Sequence, residues 1–274
     1  KAAGVNRISI GAQSGNDQEL LTLGRRHTVK DTEAAVKTAR QLGFDNISLD
    51  LMLGLPNSNT ETFKKSLDFV LSLSPKHISA YILKIEENTK FYKLKDTLNL
   101  PDDDAVSDQY LFMCQHLEKA GFCHYEISNF AQPGFEARHN SAYWRHVPYV
   151  GLGPGAHSYI QSNSMRRWNR QDLHTYLAAG CIGDFASIQE SEVLDTEQLT
   201  LERIMLGLRT SEGLPESFLR VNCDSDALSR ALAAGHLVSA APIGDSSPAQ
   251  PAEQNLRIPE SNFFISDSII ASLV

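Results

Sequence analysis

The sequence predicts an α/β protein: a partial barrel of parallel strands, three of them present, followed by a small winged-helix-like α+β domain. Short apolar, β-branched runs recur about every thirty to forty residues with amphipathic helical stretches between them, the pattern of βα repetition with parallel strands. Eight such units make a full barrel of about 250 residues. Only three can be counted, so the barrel is partial or its other part is missing. Beyond about Ser187 the pattern becomes three short helices and a β-hairpin wing.

Residues 1–5 read as the last turn of a helix, a Gly4 cap and the entry to a strand with no helix start before them, which predicts a fragment. Residues 6–10 form a short β-branched strand that ends at Gly11 and leads into the polar turn Gln13-Ser14-Gly15-Asn16. One helix carries Leu20, Leu21 and Leu23. A second opens at Thr28, with Asp31 three residues on in the manner of a capping box, and places Ala35, Ala39 and Leu42 on one face before Gly43. The strand over residues 47–52 contains Asp50, a carboxylate that is costly in an apolar run unless it has a partner; it is either a site residue or a structural cap. Gly54-Leu55-Pro56 turns into a helix with Phe63, Leu67, Val70 and Leu71 on one stripe, and residues 78–82 make the third strand.

Residues just past the C-terminal strand ends should face one site: Gln13, Asp50, Gly54 and residues 84–87. A helix over residues 102–120 follows. Arg166-Arg167-Trp168-Asn169 is a basic-aromatic group, either a carboxylate or phosphate holder or a surface pair of arginines. Helices are expected over residues 172–178, 196–208, 215–220 and 224–234, with a strand at 256–258 and a last helix from Asp267. Residues 242–254 read as a polar wing tip with no assigned role. Asp224, Asp226 and Glu216 argue against a DNA-reading helix.

Composition narrows the class. The chain has 274 residues, 42% of them hydrophobic, and a formal net charge of −8, which disfavours a broad nucleic-acid surface. No run approaches the roughly eighteen apolar residues of a membrane span, and no signal peptide opens the chain, which predicts a soluble, cytoplasmic protein. Cys114, Cys123, Cys181 and Cys223 are scattered, without the close spacing of a zinc or iron–sulfur site.

The chemistry concentrates in residues 125–158. Glu126, His139, Asn140, Tyr143, Trp144, His146 and His157 lie there beside a glycine-rich turn at residues 151–155 that no regular helix would tolerate. Read singly, Tyr125 and Ile127 fit a strand and Tyr143 and Trp144 fit a core; read together, the cluster points to a site.

Gln13, the run Asp50-Leu51-Met52-Leu53-Gly54-Leu55-Pro56, the run Tyr125-Glu126-Ile127-Ser128-Asn129-Phe130, His139-Asn140 with Tyr143-Trp144, and Gly151-Leu152-Gly153-Pro154-Gly155-Ala156-His157-Ser158 occur in order. This set resembles the radical S-adenosylmethionine heme chaperones of the HemW type, long described as oxygen-independent coproporphyrinogen III oxidase-like. The resemblance implies a partial radical SAM (β/α)6 TIM-like barrel, of which the last three strands are present over residues 1–120, a family-specific segment over 121–186, and the C-terminal domain over 187–274. It implies a 4Fe-4S cluster held by a Cys-x-x-x-Cys-x-x-Cys loop, which would lie upstream of Lys1; without it this chain is expected neither to bind the cluster nor to cleave S-adenosylmethionine.

The same resemblance places Gln13 and Asp50 at contacts to S-adenosylmethionine, where a ribose hydroxyl or an ammonium suits them. Arg25 matches a further contact, and Ala156 and His157 belong to a loop that closes over the adenosyl group. His139 resembles the residue that ligates heme iron, with Tyr143 and Trp144 against the porphyrin; the alternative is that His139 only pins a loop by hydrogen bonds. The implied partners are heme and heme-acceptor proteins such as respiratory hemoproteins, with room for peripheral membrane association through the acceptor and for a homodimer; nucleic acid is not among them. Two other readings stand beside the chaperone: a coproporphyrinogen III dehydrogenase using a 5′-deoxyadenosyl radical, and an inactive remnant whose half barrel leaves a strand edge and apolar surface open.

Overall fold

The computed structural model describes residues 1–240 and 254–274; the wing-tip expectation over 242–254 therefore lies, apart from Gln254, outside the described residues. The chain forms two compact units, Lys1–Glu136 with Glu260–Phe264, and Ala137–Pro259 with Ile265–Val274.

The first unit contains, in chain order, β1 (Arg7–Gln13), α1 (Asp17–Thr22), α2 (Val29–Gln41), β2 (Asn46–Leu53), α3 (Thr60–Ser72), β3 (His77–Ile82), α4 (Lys90–Leu94), α5 (Asp103–Lys119), β4 (Cys123–Glu126) and β5 (Asn129–Ala131). Its sheet runs β1-β2-β3-β5-β4; the first three strands are parallel, and the β5–β4 pair joins β3 antiparallel. The three expected parallel strands are present. The antiparallel extension is additional, built from residues 123–131 that the sequence marks mainly as site chemistry.

The two faces of the sheet differ. Ile47, Leu49, Leu51 and Leu53 of β2 are fully buried, as are Leu67 and Val70 of α3 and Met113 and Leu117 of α5. Each such side chain contributes about 1.5–3 kcal/mol by leaving water. Capping boxes at Thr28/Asp31 and Asn59/Thr62 start α2 and α3, each worth about 1 kcal/mol. Strand register puts polar residues on the opposite face in two rows, Ser9, Ser48 and His77 in one and Asp50, Ser79, Asn129 and Glu126 in the other. Met52 and Tyr81, two residues beyond Asp50 and Ser79, continue this face. Within the first row Ser48 Oγ lies 2.8 Å from His77 Nδ1, and His77 Nε2 lies 2.7 Å from Tyr125 Oη. His77 is only 1% exposed, and burial, helped by the Arg7 charge, pushes its pKa down to about 3, so the imidazole is neutral.

The second unit holds α6 (Arg138–Trp144), β6 (His157–Ile160), β7 (Met165–Asn169), α7 (Leu173–Ile182), β8 (Gln189–Val193), α8 (Thr196–Gly207), β9 (Leu214–Pro215), α9 (Glu216–Asn222), α10 (Ser225–Ala233), β10 (Val238–Ser239), β11 (Asn255–Arg257) and α11 (Ser266–Leu273). The expected helices appear as α7 to α11. The wing is the antiparallel sheet β10-β11-β9, with Leu208, Leu219, Leu256, Ile258 and Leu273 buried. Gly213 enters β9 at φ +65°, where a Cβ would stand 2.2 Å from the Leu256 carbonyl oxygen. A second antiparallel sheet, β6-β7-β8, takes up the Arg166-Arg167-Trp168-Asn169 group as a strand. Its Arg166 is held internally, 2.6 Å from Glu202 and 3.7 Å from Glu192, which favours the structural reading for this arginine.

Candidate functional site

In the first unit the strand that presents Gln13 is longer than the sequence suggests: β1 runs through Gly11 and Ala12, and Gln13 is its last residue, at φ +65°. A non-glycine residue in that region is held there by its surroundings. The holding structure is the turn that follows. Buried Ser14 donates to Glu19, its Oγ lies 3.1 Å from Ser66 Oγ, and the Gly15 N–H donates to Ser66 Oγ at 3.0 Å. Gly15 is needed because a Cβ there would stand 2.9 Å from both Ser66 Cα and Phe69 Cβ. The Gln13 side chain folds back over Gly11, where an added Cβ would lie 2.6 Å from Nε2.

Asp50 is not past the end of its strand; it sits within β2, three residues before Leu53, because the strand extends to that residue. Burial pushes its carboxyl above the usual carboxylate range, and the Ser9 hydroxyl, donating at 3.2 Å, the Ser79 hydroxyl and the Arg7 charge pull it back. The same row ends at Glu126, 1% exposed, whose carboxyl burial also raises against donation from the Asn129 amide and the Ser128 N–H. Asn129 Oδ1 has no hydrogen-bond partner among the described residues. The row thus offers acceptors to a hydroxyl or ammonium group. Residue order alone cannot show that Asp50 and Glu126, seventy-six positions apart, share it.

Arg25 follows the Gly24 turn after α1, exposed and without a carboxylate partner among the described residues. Residues 84–87 form a loop after β3 in which Lys84 pairs with Glu86 at 3.2 Å. Gly54, at φ +70°, donates its N–H to Gln109 Oε1 at 3.2 Å, fixing the turn after β2.

In the second unit, α6 places His139 and Tyr143 one turn apart. Tyr143 Oη lies 2.9 Å from His139 Nε2, the rings meet edge-on at 5.0 Å, and Tyr143 meets Tyr149 in the same manner at 4.7 Å. Trp144, five residues beyond His139, lies about 140° round the helix and is not brought to this pair. Val147, Val150 and Leu152, next along the chain, are exposed apolar side chains. Two residues past α6 the chain turns at His146, held at φ +57° where glycine is usual; the Val147 N–H donates to the Ala142 carbonyl at 2.9 Å. His146 Nε2 lies 3.0 Å from Glu202, and its ring stacks on Tyr159 at 4.5 Å.

The glycine-rich loop is tied to residues of its own unit. The Gly153 N–H donates to Tyr176 Oη, the Gly155 N–H to the Asn169 carbonyl, the Ala156 N–H to the Gly153 carbonyl, and the Gly151 N–H to Ser158 Oγ. The Ala156 carbonyl accepts from the Asn169 N–H at 3.0 Å and keeps one lone pair. Exposed His157 stacks on Trp168 at 5.6 Å.

Residues 1–70 match the Radical SAM superfamily. The chain is 39% identical over 216 residues to the heme chaperone HemW of Bacillus subtilis (strain 168), covering 78% of this chain and 56% of that protein. It is 44% identical over 158 residues to the heme chaperone HemW of Escherichia coli (strain K12), covering 58% of this chain and 41% of that protein. The chain is thus similar to HemW-type radical SAM proteins over more than half of its length. It spans about half the length of these curated relatives. Among solved structures, coproporphyrinogen III oxidase (HemN) from Escherichia coli, a radical SAM enzyme, superposes with a TM-score of 0.75 over 99% of this chain and 64% of that one; at 18% identity this shows a shared fold.

The radical SAM family implies a 4Fe-4S cluster and S-adenosylmethionine. No group of three or more His, Cys, Asp or Glu that could hold a metal occurs among the described residues. The donors and acceptors of Gln13 and the Asp50 row do fit a ribose or an amino-acid head group. No helix among the described residues is long and apolar enough to cross a membrane.

Proposed function

We propose that this chain carries the heme-handling part of a heme chaperone, which takes up heme and passes it to acceptor hemoproteins. The observation that carries the reading is the exposed His139 imidazole on α6, set beside the exposed ring of Tyr143 and followed by the exposed apolar Val147, Val150 and Leu152. An imidazole nitrogen is a good axial ligand for heme iron, and a flat apolar macrocycle needs apolar surface to lie on. The names of the HemW relatives support the same reading.

In this reading Gln13 and Asp50 hold the polar part of S-adenosylmethionine, with Arg25 toward its carboxylate. The cofactor supplies a reactive adenosyl group when bound with a cluster; this chain's residues bind and orient it. Trp144 takes no part in the heme contact unless α6 rearranges. The test is transfer. Hemin-loaded protein is mixed with apomyoglobin, and the appearance of holomyoglobin faster than from free hemin in buffer supports delivery. Full-length protein that decarboxylates coproporphyrinogen III and retains no hemin would instead make it the dehydrogenase.

A further inference from the structure

We propose that the Tyr143 hydroxyl is a displaceable cap on His139: it engages Nε2 in the heme-free protein and yields that nitrogen to heme iron. The proposal rests on the heme-binding reading above.

The geometry has two parts. Tyr143 Oη lies 2.9 Å from His139 Nε2, across one turn of α6, so the nitrogen that projects farthest from the backbone is already occupied. With the imidazole proton on Nδ1 the phenol donates to Nε2, and this hydrogen bond and an iron–nitrogen bond both use the single in-plane lone pair of that nitrogen, so phenol and iron exclude each other. The Tyr143 ring, meanwhile, has its own seat, edge-on to Tyr149 at 4.7 Å and 86°. Removing the hydroxyl therefore leaves the aromatic packing in place. Both side chains are exposed, so the freed phenol finds water as its new partner.

On ligation the Fe–Nε2 bond forms and the Tyr143 O–H···Nε2 hydrogen bond breaks. The phenol keeps its proton, the imidazole keeps its own on Nδ1, and nothing is oxidised or reduced. On release the phenol returns. Such competition weakens heme retention, which suits a protein that must give its cargo away, and it joins the two roles that the sequence leaves open for His139: hydrogen-bonded anchor without heme, ligand with it.

An exposed hydrogen bond of this kind is worth enough to change affinity by about two- to tenfold. Hemin titrations followed at the Soret band, and hemin loss to apomyoglobin, are compared for the wild type, Tyr143→Phe, His139→Ala and the double variant. The proposal predicts that Tyr143→Phe binds hemin about two- to tenfold more tightly and loses it correspondingly more slowly, and that the double variant shows neither gain. If Tyr143→Phe binds equally or more weakly while the Soret shift still depends on His139, the cap is refuted and the heme reading stands. If His139→Ala leaves the Soret shift intact, the heme reading fails and the cap with it.

Discussion

Lowering the pH should cost the first unit stability through His77, and the size of the effect follows from its surroundings. The ring is 1% exposed, sits between Ser48 and Tyr125, and has its pKa pushed down to about 3 by burial and the Arg7 charge. In the unfolded chain it returns to about 6.5. Between those values the unfolded state binds a proton that the folded state refuses, so stability falls as pH drops below about 6.5. At about 1.4 kcal/mol per pH unit, the loss from pH 7.5 to pH 5 is about 2 kcal/mol. Asp50 and Glu126, whose carboxyls are raised, act in the opposite sense by favouring the folded state as pH falls, so wild-type stability alone does not isolate the term. The comparison is with His77→Gln, which cannot titrate but leaves both carboxyls in place. Urea unfolding, read by pulsed hydrogen exchange of β2 and β3 peptides, should show the variant less stable at pH 7.5 and the gap narrowing by about 2 kcal/mol at pH 5. A gap that does not change with pH would refute the reasoning.

Other predictions follow from single positions. Gly213→Ala should cost the second unit roughly 2–4 kcal/mol in urea unfolding, because the new methyl meets the Leu256 carbonyl at a backbone angle that disfavours side chains. Glu202→Ala should cost about 1–3 kcal/mol and raise amide exchange in α6, since His146 loses its carboxylate and Arg166 keeps only Glu192 at 3.7 Å. Asp50→Ala and Gln13→Ala should each weaken S-adenosylhomocysteine binding by about tenfold in calorimetry, the scale of one lost hydrogen bond to a charged or polar head group; unchanged affinity in both would remove them from the cofactor site.

Much of the fold was legible because regular burial leaves regular patterns. The odd positions of β2 read as a strand since all four point under the helices, and Thr28 with Asp31 announced the start of α2. The β6-β7-β8 sheet was not legible, because β7 carries Arg166 and Arg167 side by side and lacks apolar alternation. The end of β1 was misplaced because Gly11 resembles a terminator, whereas it makes room for the Gln13 amide. At the candidate site, the spacing of His139 and Tyr143 contained their contact, as any i, i+4 pair on a helix does. The same arithmetic separates Trp144 from them, and motif reading passed over it. Glu126 and Asn129 stood out as polar residues, but their place beside Ser79 and Asp50 depends on strand register, which a lone sequence does not display.

The most direct measurement is the hemin titration of this chain with His139 intact, replaced by alanine, and replaced by alanine in the presence of free imidazole. A Soret shift that disappears in His139→Ala and returns with imidazole is the predicted result, since the added base occupies the vacated axial position. A shift that persists in His139→Ala without imidazole would contradict heme ligation by this residue.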